Sequence, residues 1–319
     1  MIEYRIDEDN AGVRLDKFLR KKLASVPASH LQKMIRTKKI RVNGKRAQPE
    51  QALAEGDVLS VWGDAAKLEG DQPRVKPAPA PPTDLSKLEV LLEDDWLMAV
   101  NKPSGMAVHA GSGITDGTLV DYVRAYLGVK ATRNDFTASP AHRLDRETSG
   151  VILVAKRRPA MVRFTEIFTN GEAHKRYLAL VIGRMPQPRG KIDLALSEHQ
   201  QTAESKSRRG VNMQEAVTRY TVLKQTSEVS LLECTIETGR THQIRRHMTA
   251  LGHPVAGDKK YGDFAFNREA KTRFGLRHMF LHAERIEFPH PQHGGKILVK
   301  AELPADLRDV LRRAGLEIP

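Results

Sequence analysis

The sequence predicts an α+β fold: a catalytic-sized domain built on a mixed, largely antiparallel sheet, preceded by a small α/β module. Three observations predict it. Past residue 85, short apolar strand patterns outnumber helical ones without strict alternation, which argues against a doubly wound sheet. Two alternating runs, 216–223 and 231–238, read as neighbouring antiparallel strands. A stretch carrying Pro73, Pro77, Pro79, Pro81 and Pro82 has no core of its own and reads as an extended, flexible linker. The 319 residues exceed one typical domain of about 100–200 residues. The expected division is therefore a module over 1–63, a linker over 64–85 and a second domain over 86–319.

In the module, Leu15, Phe18, Leu19 and Leu23 recur at helical spacing, and Val26-Pro27 ends that helix. Ser29 is the candidate N-cap of a second helix carrying Leu31, Met34 and Ile35. Ile40-Arg41-Val42 alternates as a short strand, Asn43-Gly44 is a hairpin turn, and 58–62 forms a further strand. Beyond the linker, strands are expected at 88–92, 97–100, 151–155 and 177–182. Helices are expected at 118–127, 160–168, 242–251 and 305–314. The third helix has Thr241 as N-cap, Ile244, Met248 and Leu251 as its apolar stripe, and Gly252 then Pro254 as its stop. From Glu284 onward the patterning is ordinary and carries no functional assignment.

Charge narrows the function. Lys plus Arg number 52 against 39 acids, a net of +13. Between Arg14 and Arg46 there are twelve basic residues and one acid, Asp16. A segment that lopsided points to a polyanion, with nucleic acid ahead of a membrane surface. Arg14, Lys17, Arg20, Lys33, Arg36, Lys38, Lys39 and Arg41 are the candidate phosphate contacts. The longest apolar run has six residues, 177–182, against roughly 20 needed to span a bilayer. The first ten residues hold four acids and no apolar stretch, so no secretory signal is expected. Cys234 is the single cysteine, which excludes a disulfide framework and multi-cysteine metal sites. The expectation is a soluble, cytoplasmic protein with no membrane and no obligate protein partner.

Several chemistries fail on spacing. Gly111-Ser112-Gly113 with Gly117 misses the dinucleotide fingerprint by one residue and reads as a glycine-rich turn. No phosphate-binding loop ending in Gly-Lys-Ser/Thr is present. His242 and His247 are five apart, with no carboxylate between them, so they do not share a helix face as a zinc pair would. No tight carboxylate cluster suits a two-metal site. Neither metal nor cofactor is expected.

The densest polar segment is His142-Arg143-Leu144-Asp145-Arg146-Glu147-Thr148-Ser149-Gly150, which runs into the apolar strand at 151–155. A carboxylate among cations weakens phosphate binding, so Asp145 needs a reason. On spacing alone, capping a turn or pairing with a local Arg is reason enough. The segment nevertheless resembles the signature of the RluA-type family of pseudouridine synthases, His-Arg-Leu-Asp-x-x-Thr-Ser-Gly followed by an apolar strand. Asn101-Lys102-Pro103-Ser104-Gly105 with Val108-His109 is similar to that family's first motif, and Lys175-Arg176-Tyr177 with 178–181 to its tyrosine motif. Thr238-Gly239-Arg240-Thr241-His242-Gln243-Ile244-Arg245, continuing through Gly252-His253-Pro254, Gly257-Asp258 and Tyr261-Gly262, is similar to a third. The four motifs stand in family order over roughly 88–285. The basic module resembles the alpha-L RNA-binding motif.

The resemblance implies an RNA-modifying isomerase. It would need neither ATP nor a redox cofactor, because pseudouridine formation conserves every atom of uridine. The resemblance makes Asp145 the catalytic carboxylate, Arg245 its pairing cation and Tyr177 the ring that stacks on a flipped base, where stacking is worth about 1–3 kcal/mol. Taken alone, Tyr177 on an apolar strand suits a core position better, and Arg245 suits a solvated helix face as well as a functional one. Arg143 would fill the gap the flipped base leaves, Lys102-Pro103 would support the floor of the site, and the Tyr177 phenol could help remove the proton from carbon 5. Within the family, the motif set, the module and the length are most similar to members acting on uridines of large-subunit (23S) ribosomal RNA. A transfer RNA, another ribosomal site, or a non-catalytic RNA-binding role remain the alternatives.

Overall fold

The computed structural model describes residues 1–63, 84–111, 113–128, 136–197 and 213–317. The Pro-rich stretch expected as a linker lies, from 64 to 83, outside the described residues.

The first unit is built from β1 (Ile2–Arg5), α1 (Leu15–Lys22), α2 (Ala28–Arg36), β2 (Ile40–Val42), β3 (Lys45–Arg46) and β4 (Val58–Val61). Its four-stranded sheet has the order β1-β4-β2-β3, and Asn43 and Gly44 take the positive φ values of 51° and 72° that a tight hairpin turn requires. The apolar residues of both helices close on this sheet in a core that includes Leu15, Phe18, Leu31, Met34, Ile40 and Leu59. Two details differ from expectation. The second helix starts at Ala28 with Pro27 as cap, and Ser29 lies inside it, because the fixed proline φ already suits a helix start. The strand β1 escapes sequence reading because its alternation is only half-apolar.

The larger sheet contains β5 (Glu89–Glu93), β6 (Leu97–Lys102), β7 (Ser139–Pro140), β8 (Ser149–Ala155), β9 (His174–Ile182), β10 (Arg189–Asp193), β13 (Val217–Gln225), β14 (Val229–Ile236), β15 (Leu281–Pro289) and β16 (Lys296–Lys300). Its order is β10-β13-β14-β9-β15-β8-β6-β5, with β16 on β15 and β7 on β8. The short strands β11 (Leu196–Ser197) and β12 (Met213–Gln214) pair apart from it. Among the described pairs only β15 with β8 is parallel, so the sheet is mixed and largely antiparallel, as the patterning implied.

Helices α3 (Leu119–Tyr126), α4 (Arg158–Thr169), α5 (Gln243–Ala250), α6 (Phe264–Arg273) and α7 (Ala305–Arg313) cover the sheet. β9 explains the longest apolar run. Tyr177, Ala179 and Val181 face the core shared with α3 and α5, while Leu178 and Leu180 face the one shared with α6 and α7. A strand buried on both faces loses its alternation. The two units touch where Asp9 accepts a hydrogen bond from the Arg158 backbone N–H at 3.1 Å, capping α4, whose own N-cap residue makes no side-chain cap bond.

The parallel junction depends on one glycine. Gly150 has φ +110°, and a Cβ there would lie 2.2 Å from the Ala283 carbonyl oxygen of β15. Beside it, the Ser149 hydroxyl donates to His282 Nδ1 at 2.9 Å while His282 Nε2–H donates to the Ala301 carbonyl at 3.1 Å, so the buried imidazole is satisfied and neutral. The Ser-Gly of the signature is therefore a docking device between strands. Gly150→Ala should cost stability by at least the roughly 1–3 kcal/mol typical of overpacking, and urea denaturation with an unchanged m-value would show it.

Candidate active site

A cleft of about 370 Å³ opens beside the parallel junction, between the 141–148 loop, the end of α4, the start of β9 and the 236–245 segment. The sequence candidates Arg143, Asp145, Tyr177 and Arg245 all line it. They come from three separate stretches of chain, and the sheet is what brings them together.

Arg245 occupies the first turn of α5 and is almost wholly buried, 8% exposed. A cation at that end opposes the helix dipole, so it needs anions nearby. Two supply them. Asp258, 1% exposed, takes the guanidinium in a two-point clasp: Nε donates to Oδ2 at 2.7 Å and NH2 to Oδ1 at 2.9 Å. The third nitrogen, NH1, donates to Asp145 Oδ2 at 2.9 Å. The ring of Tyr261 lies against the guanidinium, 5.1 Å from centroid to carbon. Burial pushes the Asp258 carboxyl up, but Arg245 and the N–H groups of Lys260 and Tyr261 outweigh it and hold the group below the usual carboxylate range. Arg245 in turn is held more firmly protonated than usual: burial opposes its charge, and the two carboxylates overcome that opposition.

The turn preceding α5 is fixed by Gln243. Its Oε1 accepts from the Thr238 hydroxyl at 2.6 Å and the Arg240 N–H at 3.1 Å, and its Nε2 donates to the Val217 carbonyl at 2.9 Å and Thr218 Oγ1 at 3.1 Å. The helix cap is His242 and not Thr241, with no side-chain cap bond; its backbone is left-handed at φ 55°. That conformation costs a non-glycine residue energy and is held by the surrounding bonds. It directs the imidazole inward, where Nδ1 is 3.0 Å from the Tyr261 hydroxyl and Nε2 is 3.8 Å from Asp145 Oδ1. Burial lowers the His242 pKa more than Asp145 raises it, so the ring near neutral pH is uncharged. His247 is separate. It bonds Thr218 Oγ1 and the Leu194 carbonyl, so the two histidines have different partners and do not converge.

Tyr177 is 6% exposed. Burial first, then the charge of Asp145, push the phenol above its ordinary value. In the cleft it is therefore the neutral phenol. Lys102, fully buried, donates to the carbonyls of Pro103, Met106 and Arg146 at 3.0, 2.9 and 3.1 Å. It thereby ties the 102–106 loop to the loop carrying Asp145, in keeping with a supporting role. Burial lowers its pKa to about 7, against the pull of Asp145 and Glu147.

Arg143 is exposed at the rim, where a side chain can reach a nucleic acid. In the first unit Arg14, Lys17, Arg20, Lys33, Arg36, Lys38, Lys39 and Arg41 are all exposed. Lys33 and Arg36 line a concavity with Arg46, Gln32 and Gln48, and the Arg41 guanidinium lies over the Trp62 ring at 5.1 Å. Arg14 differs from the rest. Its guanidinium is clasped by Asp16 at 3.1 and 2.9 Å, so its charge is largely neutralised within the module. Sequence reading passes over Asp258 and Tyr261 as site residues, although both stand in the quoted Gly-Asp and Tyr-Gly pairs.

Replacing Asp258 by Asn should destabilise the fold by about 3–5 kcal/mol, the usual cost of stripping one partner from a buried ion pair. Because its folded pKa is depressed, the stabilisation from Asp258 is fully present above the unfolded value of about 3.9 and lost as pH falls through the lower folded value. The gap between the urea midpoints of wild type and Asp258→Asn should therefore hold from pH 7 to about pH 4 and narrow below it.

Comparison with known proteins agrees with this geometry. Residues 96–250 match the family model described as RNA pseudouridylate synthase, and residues 13–59 match the S4 domain. A Vibrio cholerae protein, ribosomal large subunit pseudouridine synthase C, is 37% identical, the match covering 97% of this chain and 95% of that one. The Escherichia coli protein of the same name is 36% identical over 97% and 95%. The solved structure of human RNA pseudouridylate synthase domain containing 4 superposes with a TM-score of 0.58 at 29% identity, covering 72% of this chain and 94% of that one. With its motifs in order and its cleft assembled around Asp145, this chain belongs to the RNA pseudouridine synthase family.

Proposed function

We propose that this protein isomerises specific uridines of large-subunit ribosomal RNA to pseudouridine, with Asp145 as the catalytic carboxylate, Arg245 as its pairing cation and Tyr177 as the platform for a flipped base. The carrying observation is that Arg245 presents Asp145 into a cleft that Tyr177 also lines. The names of the full-length relatives in Vibrio cholerae and Escherichia coli support ribosomal RNA as substrate.

The chemistry follows from the charges. The bond from ribose C1′ to uracil N1 breaks with its electron pair remaining on uracil. The sugar is left electron-poor, and the role left to Asp145 is to bond to the sugar, to add to the uracil ring, or to take the 2′ proton. The base turns, carbon 5 bonds to C1′, the proton on carbon 5 is lost to restore the ring, and N1, freed of the sugar, ends with a proton in its place. Atoms in and atoms out are identical, so the balance calls for no oxidant and no nucleotide. Flipping costs a few kcal/mol, comparable to what stacking on Tyr177 contributes.

We assign the exposed cations of the first unit, Lys17, Arg20, Lys33, Arg36, Lys38, Lys39 and Arg41, to sequence-tolerant phosphate contacts that raise the local concentration of the catalytic domain near its RNA. The chain divides in this reading into the module at 1–63, a linker at 64–85 and the synthase domain at 86–319, acting in the cytoplasm on free or assembling ribosomal RNA.

Mapping pseudouridines in the ribosomal RNA of a strain lacking the gene tests the reading. Large-subunit positions should lose the modification, and wild type but not Asp145→Asn should restore it. Restoration by Asp145→Asn, or loss confined to transfer RNA, would overturn the catalytic or the substrate assignment respectively. Replacing Lys33 and Arg36 together by Ala should weaken RNA binding uniformly across sequences. The slope of log affinity against log salt should fall by about one unit for each phosphate that is no longer neutralised. The turnover rate at saturating RNA should stay unchanged.

A further inference from the structure

A second charge, with a different character from Asp145, is set into the wall of the cleft. Lys175 stands two residues before Tyr177 in β9, so both side chains project from the same face of the strand. It is half-buried and lines the cleft, and its Nζ lies 4.3 Å from the centroid of the Phe168 ring of α4. Ile236 of β14 and Ile286 of β15 are its strand neighbours. Among the described residues no carboxylate pairs with Nζ. That is unusual in this molecule, where Arg176 on the opposite face pairs with Glu233 and Lys102 has three carbonyls. An aromatic face offsets only part of the cost of withdrawing an ammonium from water.

An ammonium held in this way waits for an anion that the free protein does not supply. Under the proposed function, the phosphates of a bound strand meet the open rim, where Arg143 and Arg240 are exposed, and the species delivered to the interior beside Tyr177 is the base. We infer that the Lys175 ammonium contacts the flipped uracil and stabilises the negative charge that develops on its carbonyl oxygens when C1′–N1 breaks. Lys175 transfers no proton in this step. The bonding pair goes to uracil, is delocalised toward O2 and O4 while the base turns, and returns as the new bond from carbon 5 to C1′. Fixed positive charge at a site of developing negative charge is among the largest single contributions an enzyme makes.

The surroundings frame the pH dependence. His142 in the loop before β8, His174 beside Lys175, Tyr177 and, beyond β14, Glu237 are the titratable groups on this wall; Asp145, Arg143, Arg240, His242 and Arg245 line the rest of the cleft. His142 is pushed well below its usual value by burial and then by the Lys175 charge, so it is neutral and adds no second positive charge beside Nζ. Burial lowers Lys175 itself to about 8. The charged, competent form is therefore present below that value and lost as pH rises through it.

The inference rests on the uridine-isomerase reading above, and Asp145→Asn run in parallel keeps the two separable. Single-turnover rates and RNA affinities are measured for wild type, Lys175→Met and Lys175→Arg across pH 6–10. Lys175→Met should lose about 10²–10³-fold in rate, with RNA affinity changed less than about threefold, a loss of roughly 0.65 kcal/mol at most. Wild-type rate should fall above pH 8, whereas Lys175→Arg should hold its rate to higher pH. A Lys175→Met rate within about threefold of wild type overturns the inference. So does a falling limb shared by wild type and Lys175→Arg, since that limb would belong to the uridine. Should Lys175→Met fail to fold, the wild-type and Arg profiles decide alone. An active Asp145→Asn would instead strike the isomerase reading.

Discussion

Everything in the cleft is arranged around one guanidinium shared by two carboxylates. Asp258 takes two nitrogens of Arg245 and leaves the third for Asp145, so the position of Asp145 is dictated by a residue that is itself inaccessible. A lone Arg–Asp pair at this depth would be free to swing and would carry no net charge. Here the trio carries a net negative charge at the positive end of α5, where the helix dipole favours it. The cluster thus holds a carboxylate in one orientation while most of its surroundings are dry. The desolvation of three charges is offset by good geometry at every donor, the condition under which a buried ionic group is tolerated.

The sheet supplies the frame for this cluster. Asp145 lies just ahead of β8 and Tyr177 near the start of β9, and β15 runs between those two strands. The distance across the cleft is therefore fixed by two strand spacings and by the close approach of β15 to Gly150. Gln243 fixes the third corner by joining the 238–243 turn to β13 with all four of its amide hydrogen bonds. A loop-borne carboxylate gains in this way the precision of the secondary structure around it.

Much of this is legible in the sequence because the chemistry repeats along the chain what it does in space. Asp145, Arg245 and Tyr177 stand in motifs whose order and spacing resemble a family, and the helix at 242–251 and the strand pair at 217–236 follow from simple periodicity. What stays hidden depends on non-local satisfaction of polar groups. β15 lies in the middle of the sheet, yet His282, Glu284 and Arg285 break its apolar pattern. His282 is acceptable there only because Ser149 and Ala301, 133 and 19 residues away along the chain, bond both its nitrogens. Propensity favours the hydroxyl of Thr241 as the cap of α5; a left-handed His242, turned toward Tyr261 and Asp145, overrides that preference. Asp258 stands in the third motif without a role until the fold places Arg245 against it.

The charge is divided as unevenly as the labour. Residues 14–46 carry a net +11, so the rest of the chain, for all its charged residues, carries only about +2. Long-range, salt-sensitive attraction to a polyanion must come chiefly from the module, since a nearly neutral body exerts little field beyond a Debye length of about 8–10 Å. The cleft is built differently: it offers the buried ring of Tyr177 and a few fixed charges whose strength comes from exclusion of water. Under the proposed function, a module that binds any phosphate backbone would leave discrimination among uridines to the shape the RNA must adopt to deliver one base into that cleft. Selectivity of this kind resides in the cost of extruding the base, which is lowest where the RNA is already unpaired or bulged.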